Sequence, residues 1–289
     1  MKRIIEIITL MMGLNLYISA QTDTDSAPYS VNEGTLIGIG QYNIYDSYLS
    51  DSKYTGRGFS IINERMKMVS AHPRFSSQQI FHVNMSSTEN PAHTIGLLSG
   101  FVDYSYGYHY RFQPADRLKL LAGASVGGML GFMYNTQGSN NSIAIHADID
   151  LNLSAAALYT LYLRNYPITF RYQIDAPIAG VLFMPEYGQS YYEIFSLGNT
   201  SGVIRLSSIQ NKRAMRNFLT IDLPLRSFTL RMGYTNSVYY LNDAKMKGSA
   251  DPTVYHHISH NLMIGLVKEF ISFGGKKSRN KNLYQSAYY

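Results

Sequence analysis

From Val102 to Phe112 the chain reads VDYSYGYHYRF, and every second residue is aromatic: Tyr104, Tyr106, Tyr108, Tyr110 and Phe112. Asp103, Ser105, Gly107, His109 and Arg111 fill the places between. A period of two is that of a β-strand, whose successive side chains point to opposite faces. Ile143–Leu163 carries the same pattern, with Ile143, Ile145, Ile149, Leu151 and Leu153 alternating with His146, Asp148, Asp150, Asn152 and Ser154. In Ile168–Met184, Ile168, Phe170, Tyr172 and Ile174 oppose Thr169, Arg171, Gln173 and Asp175, and Leu118–Tyr134 alternates apolar residues with lysine, glycine and serine. Further strands are predicted at Leu36–Tyr48, Gly58–Val69, Gln78–Ser86, Arg216–Leu225, Phe228–Tyr239 and Val254–Phe273.

The connections come in two kinds that alternate along the chain. Short turns fall near His72–Arg74, at Gln113–Arg117, at Arg164–Pro167 and at Pro224–Ser227. Longer loops fall at Leu49–Arg57, Ser87–His93, Asn135–Ser142, Pro185–Gly202 and Leu241–Thr253. The pattern predicts an all-β, up-and-down antiparallel barrel of about ten strands, or twelve if Pro185–Arg216 holds another hairpin.

Alternation does not say which face points inward. A soluble barrel encloses its apolar face, and a transmembrane barrel displays it. The strands reach or exceed the roughly 9–11 residues that a tilted strand needs to cross a bilayer. Tyrosines crowd the apolar face as in interfacial girdles, and the opposite face carries glycine, serine and charges of both signs. Short turns at one end and long loops at the other match periplasmic and outer ends. The transmembrane polarity is therefore expected, and it requires closure, because lipid offers no partner to an open sheet edge.

Composition agrees. Charged residues make up 15% of the chain, against about 25% in ordinary globular proteins, and there are 25 tyrosines. The first twenty residues read as a cleaved signal peptide: Lys2 and Arg3, the apolar run Ile7–Ile18, then Ala20. No later stretch is apolar for long enough to make a membrane helix. With no cysteine there is no disulfide framework. The formal charge of +6 owes much to the signal and to Lys276, Lys277, Arg279 and Lys281 in one tail, so nucleic-acid binding is not indicated. The expected organisation is signal peptide 1–20, a short periplasmic segment 21–33, the barrel 34–273 and a basic tail 274–289.

Phe183–Leu197 (FMPEYGQSYYEIFSL), Asn211–Leu225 (NKRAMRNFLTIDLPL) and Leu262–Phe273 (LMIGLVKEFISF) resemble an uncharacterised family of outer-membrane β-barrels from Bacteroidetes-type bacteria, classed as a domain of unknown function. YGQSYYEIF is the most specific piece, and the likeness covers roughly residues 25–275. It implies a Gram-negative envelope barrel and brings no catalytic residues. One departure is the end of the chain, since such barrels usually finish on an aromatic residue: either Phe273 serves from within, or Tyr289 does.

Three groups of residues are candidates for chemistry. Arg65, Lys67, Asp103, Arg111, Asp148, Asp150, Arg171, Asp175, Asp222, Arg231 and Glu269 are expected in the lumen, as an ion-pair network that plugs it or as the lining of a narrow pore. Glu186, Tyr187, Gln189, Ser190, Tyr191, Tyr192 and Glu193 form a candidate binding loop, or a loop packed over the barrel mouth. His257, Ser259 and Asn261 share one strand face and have the residue types of a hydrolase site, although neighbours two apart on a strand lie roughly 6–7 Å apart. The other reading of that run is a set of histidines at the outer rim. No catalytic residue, metal site or cofactor is assigned.

The expected function is structural or surface-binding, with a small-solute channel and a lipid-modifying hydrolase as alternatives. The expected partners are outer-membrane lipid and lipopolysaccharide, with the barrel-assembly machinery during biogenesis. The extracellular ligand is not legible.

Overall fold

The computed structural model describes residues 30–69, 72–137, 142–164, 166–185, 189–200, 202–243 and 253–271. The expected signal peptide and basic tail, and both candidate terminal aromatics, Phe273 and Tyr289, lie outside them. The elements are β1 (Ser30–Asp46), β2 (Ser50–Val69), β3 (His72–Glu89), β4 (Gly96–Ala115), β5 (Leu118–Asn135), β6 (Ile143–Leu163) and β7 (Tyr166–Phe183). A short helix α1 (Tyr191–Phe195) follows, then β8 (Ile204–Ser208), β9 (Lys212–Pro224), β10 (Thr229–Asp243) and β11 (Thr253–Ile271).

Every strand pairs antiparallel with its neighbours, and β11 pairs with β1 along its length to close the sheet. β8 and β9 lie end to end along β7, so the wall has ten strands, one of them in two pieces. The Pro185–Arg216 region therefore adds no further hairpin to the barrel.

One row of paired residues can be followed around the wall. It runs from Ile145 through Phe132, Gly100, Met85, Phe59, Ile39, Leu262, Tyr234, Leu219 and Tyr172 and returns to β6 at Ala157, twelve residues beyond its start. With about 3.3 Å per residue and about 4.8 Å between strands, that stagger tilts the strands by about 40° and sets a backbone radius of about 10 Å. A 20-residue strand such as β2 or β4 then rises about 50 Å, twice the apolar band of roughly 25 Å such barrels present. The barrel projects well beyond the membrane.

The polarity is that of a membrane barrel. Tyr104, Tyr108, Tyr110 and Phe112 lie on the exposed outer face, as do Ile149 and Leu153, each about half exposed (51% and 53%). Asp103, Ser105 and His109 point inward on β4, as do His146, Asp148, Asp150 and Ser154 on β6. A β-bulge between Leu151 and Asn152 in the β6–β7 pairing, opposite Pro177, changes which β7 positions face inward: Arg171, Gln173 and Asp175 below it, Gly180 and Leu182 above it.

Two expectations are corrected here. Leu49–Arg57 is not a loop: the β1–β2 connection is Ser47–Leu49, and the following residues are strand. There the outer face carries Lys53, Thr55 and Arg57 while Tyr54 points inward, so the alternation persists with polar residues outside, where the wall stands above the lipid. Arg65 and Lys67 are not in the lumen. Phe59 on the outer face sets the parity of β2, which puts Glu64, Met66 and Met68 inside and Arg65 and Lys67 outside, near the periplasmic end.

A lipid-face substitution tests this polarity. Leu153→Arg is expected to lower the barrel's stability by about 2–4 kcal/mol if its site lies near the bilayer midplane. Arg65→Leu is expected to change it by less than about 1 kcal/mol, as near the interface. Reversible urea unfolding in lipid vesicles measures both.

Candidate functional site

The interior is filled in layers. Met66, Met68, Leu121, Ala156 and Leu158 form an apolar floor near the periplasmic end. Above it Glu64 on β2 accepts from Arg171 on β7 at 2.6 Å and from Arg231 on β10 at 2.8 Å. Arg231 also grips Asp222 bidentately, Nε and Nη2 each donating at 2.7 Å. Gln78 donates to Glu64 at 2.5 Å and exchanges hydrogen bonds with Gln173 at 2.9 and 3.0 Å. Gln173 also accepts from Arg171 and donates to Ser154 and Asp175. Two carboxylates face two guanidiniums, and this lattice is charge-balanced. Leu36, Ile62, Ile80, Phe218 and Met263 pack as an apolar cluster on the inner wall.

A second network lies toward the outer end. Arg216 on β9 reaches Asp103 at 3.0 Å and Asp175 at 3.2 Å. Lys212 donates to Asp148 at 2.7 Å and also to Asp150, while Tyr239 donates to Asp148 at 3.1 Å. Asp103 holds His82 Nδ1 at 3.0 Å, and His82 Nε2 meets Ser60 Oγ at 2.8 Å. This places a hydroxyl, an imidazole and a carboxylate in line across β2, β3 and β4. The order is that of a nucleophile relay, but Ser60 is 0% exposed and Asp103 is shared with Arg216. Here the line braces three strands.

An apolar lid closes the outer mouth. Ile44, Tyr48, Tyr54, Leu97, Phe101, Met133, Ala144, Leu182, Met184, Leu241 and Tyr255 pack together. The Phe101 ring lies over Gly131, its partner on β5, where a β-carbon would overlap it. Asp46 and His146 pair within the lid at 2.9 Å, with His146 stacked on Tyr255 at 4.4 Å.

The candidate loop contributes to this lid. Ser190 and Glu193 cap α1 reciprocally: Ser190 Oγ accepts from the Glu193 N–H and the Glu193 carboxylate from the Ser190 N–H. Tyr191 folds inward and its hydroxyl accepts from the Ile145 N–H at 2.6 Å, while Tyr48 donates to the Gln189 carbonyl at 2.9 Å. Burial raises the Tyr191 phenol well above its ordinary pKa, so it stays a neutral hydrogen-bonding group. Tyr192, Phe195 and Leu197 face outward, each about two-thirds exposed. The loop thus has a plugging half and an exposed half. Glu186 and Tyr187 lie outside the described residues.

Of the expected lumen residues, Asp103, Asp148, Asp150, Arg171, Asp175, Asp222 and Arg231 meet in the two networks, while Arg111 and Glu269 lie on inward positions at the periplasmic mouth, Glu269 exposed there. Sequence reasoning missed Glu64, His82, Lys212 and Arg216. Parity was the available signal: Lys212 and Arg216 share the even positions of Asp222, and Glu64 those of Met66. His257, Ser259 and Asn261 are buried on inward positions of β11, not at the rim, and His257 and Ser259 share no hydrogen bond. Their outward neighbours His256 and His260 contact Tyr240 and Tyr234 on the outer face.

The closed sheet, apolar exterior and filled polar interior define an outer-membrane β-barrel. Its chain belongs to the family described as protein of unknown function (DUF3316), which matches residues 5–277. Among solved structures, the outer membrane protease OmpT from Escherichia coli is similar with a TM-score of 0.50 at 8% identity, over 86% of this chain and 100% of that one. An outer membrane channel from Pseudomonas putida F1 gives 0.36 at 10% identity over 86% and 100% of the two chains. Ail, the attachment invasion locus protein of Yersinia pestis, gives 0.27 at 10% identity over 82% and 98%. No curated protein sequence matches. At these identities the likeness is one of fold. The closed sheet with its apolar outer face is itself the architecture of a Gram-negative outer-membrane barrel in contact with lipid.

Removing one member of the lower lattice has a definite expected cost. Glu64→Ala leaves both guanidiniums short of a buried carboxylate, for a loss of about 3–5 kcal/mol. Glu64→Gln keeps the shape and loses the charge, and is expected to fall between. Midpoints of urea unfolding in vesicles, compared with the unaltered barrel, read the order.

Proposed function

We propose that this barrel is closed along its axis and works at its extracellular face, as a structural or surface-binding protein. The observation that carries this is the stack of floor, balanced lattice and apolar lid across the lumen. Such a stack offers hydrated ions no continuous path, which weighs against the channel reading. The contact surface is the exposed half of the α1 loop, with Tyr192, Phe195 and Leu197 presented together by a capped helix whose other side is tied into the mouth. Exposed aromatics anchored from beneath suit recognition of a macromolecular surface. Lipopolysaccharide around the outer wall and the barrel-assembly machinery during biogenesis belong to the same reading.

Purified mature protein in planar bilayers is expected to give no step-like conductance. The double variant Arg171→Ala/Arg231→Ala, which takes the guanidiniums from the lattice but leaves the floor and lid in place, is expected to stay silent as well. Conductance from the unaltered protein would instead favour the channel. In intact cells Tyr192→Cys is expected to react with a membrane-impermeant maleimide, and labelling that needs a permeabilised outer membrane would put the loop on the other side.

A further inference from the structure

The strand pairing of the wall lapses between β7 and β9. β7 pairs with β9 from Thr169↔Asp222 to Asp175↔Arg216, and with β8 from Ala179↔Ser208 to Phe183↔Ile204. Between these registers, Ala176, Pro177 and Ile178 on β7 and residues 212–215 on β9 have no registered partner across the seam. Two local causes are visible. Pro177 has no N–H to give a ladder and sits beside the β6–β7 bulge. The turn at 209–211 interrupts the strand between β8 and β9, held by Asn211 Oδ1 on the Ser208 N–H and Asn211 Nδ2 on the Leu206 carbonyl.

Unpaired backbone at membrane depth is tolerated where it lines a polar cavity. Such a cavity of about 150 Å³ lies against the gap, lined by Pro177 and Ala214 at the seam and by Gly127 and Gly128 on β5. Its charged lining is Asp103, Asp148, Asp150, Asp175, Lys212 and Arg216. Four carboxylates meet two cations, unlike the balanced lattice below. Counted over the described residues and with all four carboxylates ionised, negative charge is left over even with His82 protonated on Asp103, and a buried surplus is costly unless compensated. His257 also lines the cavity, is 8% exposed, and its Nε2 has no hydrogen-bond partner among the described residues. Outside the seam the wall is apolar, with Val181, Leu206, Ile209 and Met215 exposed.

We propose that the β7–β9 seam is a lateral portal, and that the chamber holds the amine headgroup of a cationic amphiphile whose apolar chain leaves through the wall. The carboxylates at Asp148 and Asp150 supply the surplus charge, His257 Nε2 an additional polar contact, and the exposed apolar residues beside the seam a bed for the chain. The site is independent of axial closure, since the portal opens sideways.

The test uses the mature barrel in nanodiscs, where the absence of native cysteine makes single replacements clean. Ala214→Cys is expected to react with lipid-soluble pyrene maleimide, and Ala156→Cys, in the closed floor, is expected to stay unlabelled. Native mass spectrometry is expected to show one dodecylammonium retained per barrel, with at least tenfold less on Asp148→Asn/Asp150→Asn, and no retention of dodecanoate. Heat-modifiable gel mobility confirms that each variant is folded. If the double asparagine variant does not fold, Pro177→Val, which restores an N–H to the seam, is expected to slow labelling of Ala214→Cys. No labelling at Ala214→Cys would overturn the portal. Labelling without retained amine, equal retention of dodecanoate, or unchanged retention by the folded asparagine variant would overturn the ligand.

Discussion

Lipid cannot hydrogen-bond a peptide group, and the architecture follows from that constraint. A sheet in a bilayer must close, and here β11 returns to β1 in continuous register to do so. Closure with a twelve-residue stagger on ten strands sets the tilt and a radius of about 10 Å, which leaves an interior that side chains can fill. The inward positions are consequently an enclosed, low-dielectric space, although their residues are polar. Charges placed there must find one another.

The interior is organised by how completely that happens. In the lower lattice Glu64 and Asp222 face the guanidiniums of Arg171 and Arg231 in equal number, and Gln78 and Gln173 extend the network. The cross-link between Glu64 on β2 and Arg171 on β7, five strands apart around the ten-strand wall, joins opposite sides and resists flattening of the tube. The upper chamber departs from this balance and adjoins the place where the backbone ladder also lapses. Two deviations from the same rules meet at one site. Such coincidences are characteristic of functional positions.

Legibility from sequence followed the environment of the outer face. Val102–Phe112 and Ile143–Leu163 were readable because β4 and β6 present apolar residues to lipid along nearly their whole length, so the two faces differ at every step. β1–β3 are harder because their apolar outer band is narrow, with Gln41, Asn43, Thr55 and Arg57 above it and Asn63 and Arg65 below. Where both faces are polar, alternation loses its sign, and Arg65 was expected inside in place of Glu64. The interruption at 209–211 hid the start of β9, and with it Lys212. Which charges pair was not legible at all, because partners such as Asp103 and Arg216 meet only through the barrel's curvature.

The central claim is that the apolar face looks outward and the polar face inward, and adjacent residues of one strand test it. Nitroxide labels at Leu153→Cys and Ser154→Cys, read by electron paramagnetic resonance in lipid vesicles, report their surroundings directly. The account predicts strong relaxation by lipid-dissolved oxygen at 153, and an immobilised label shielded from oxygen and from a water-soluble nickel chelate at 154. The reverse pattern, or equal oxygen exposure at both positions, would contradict it.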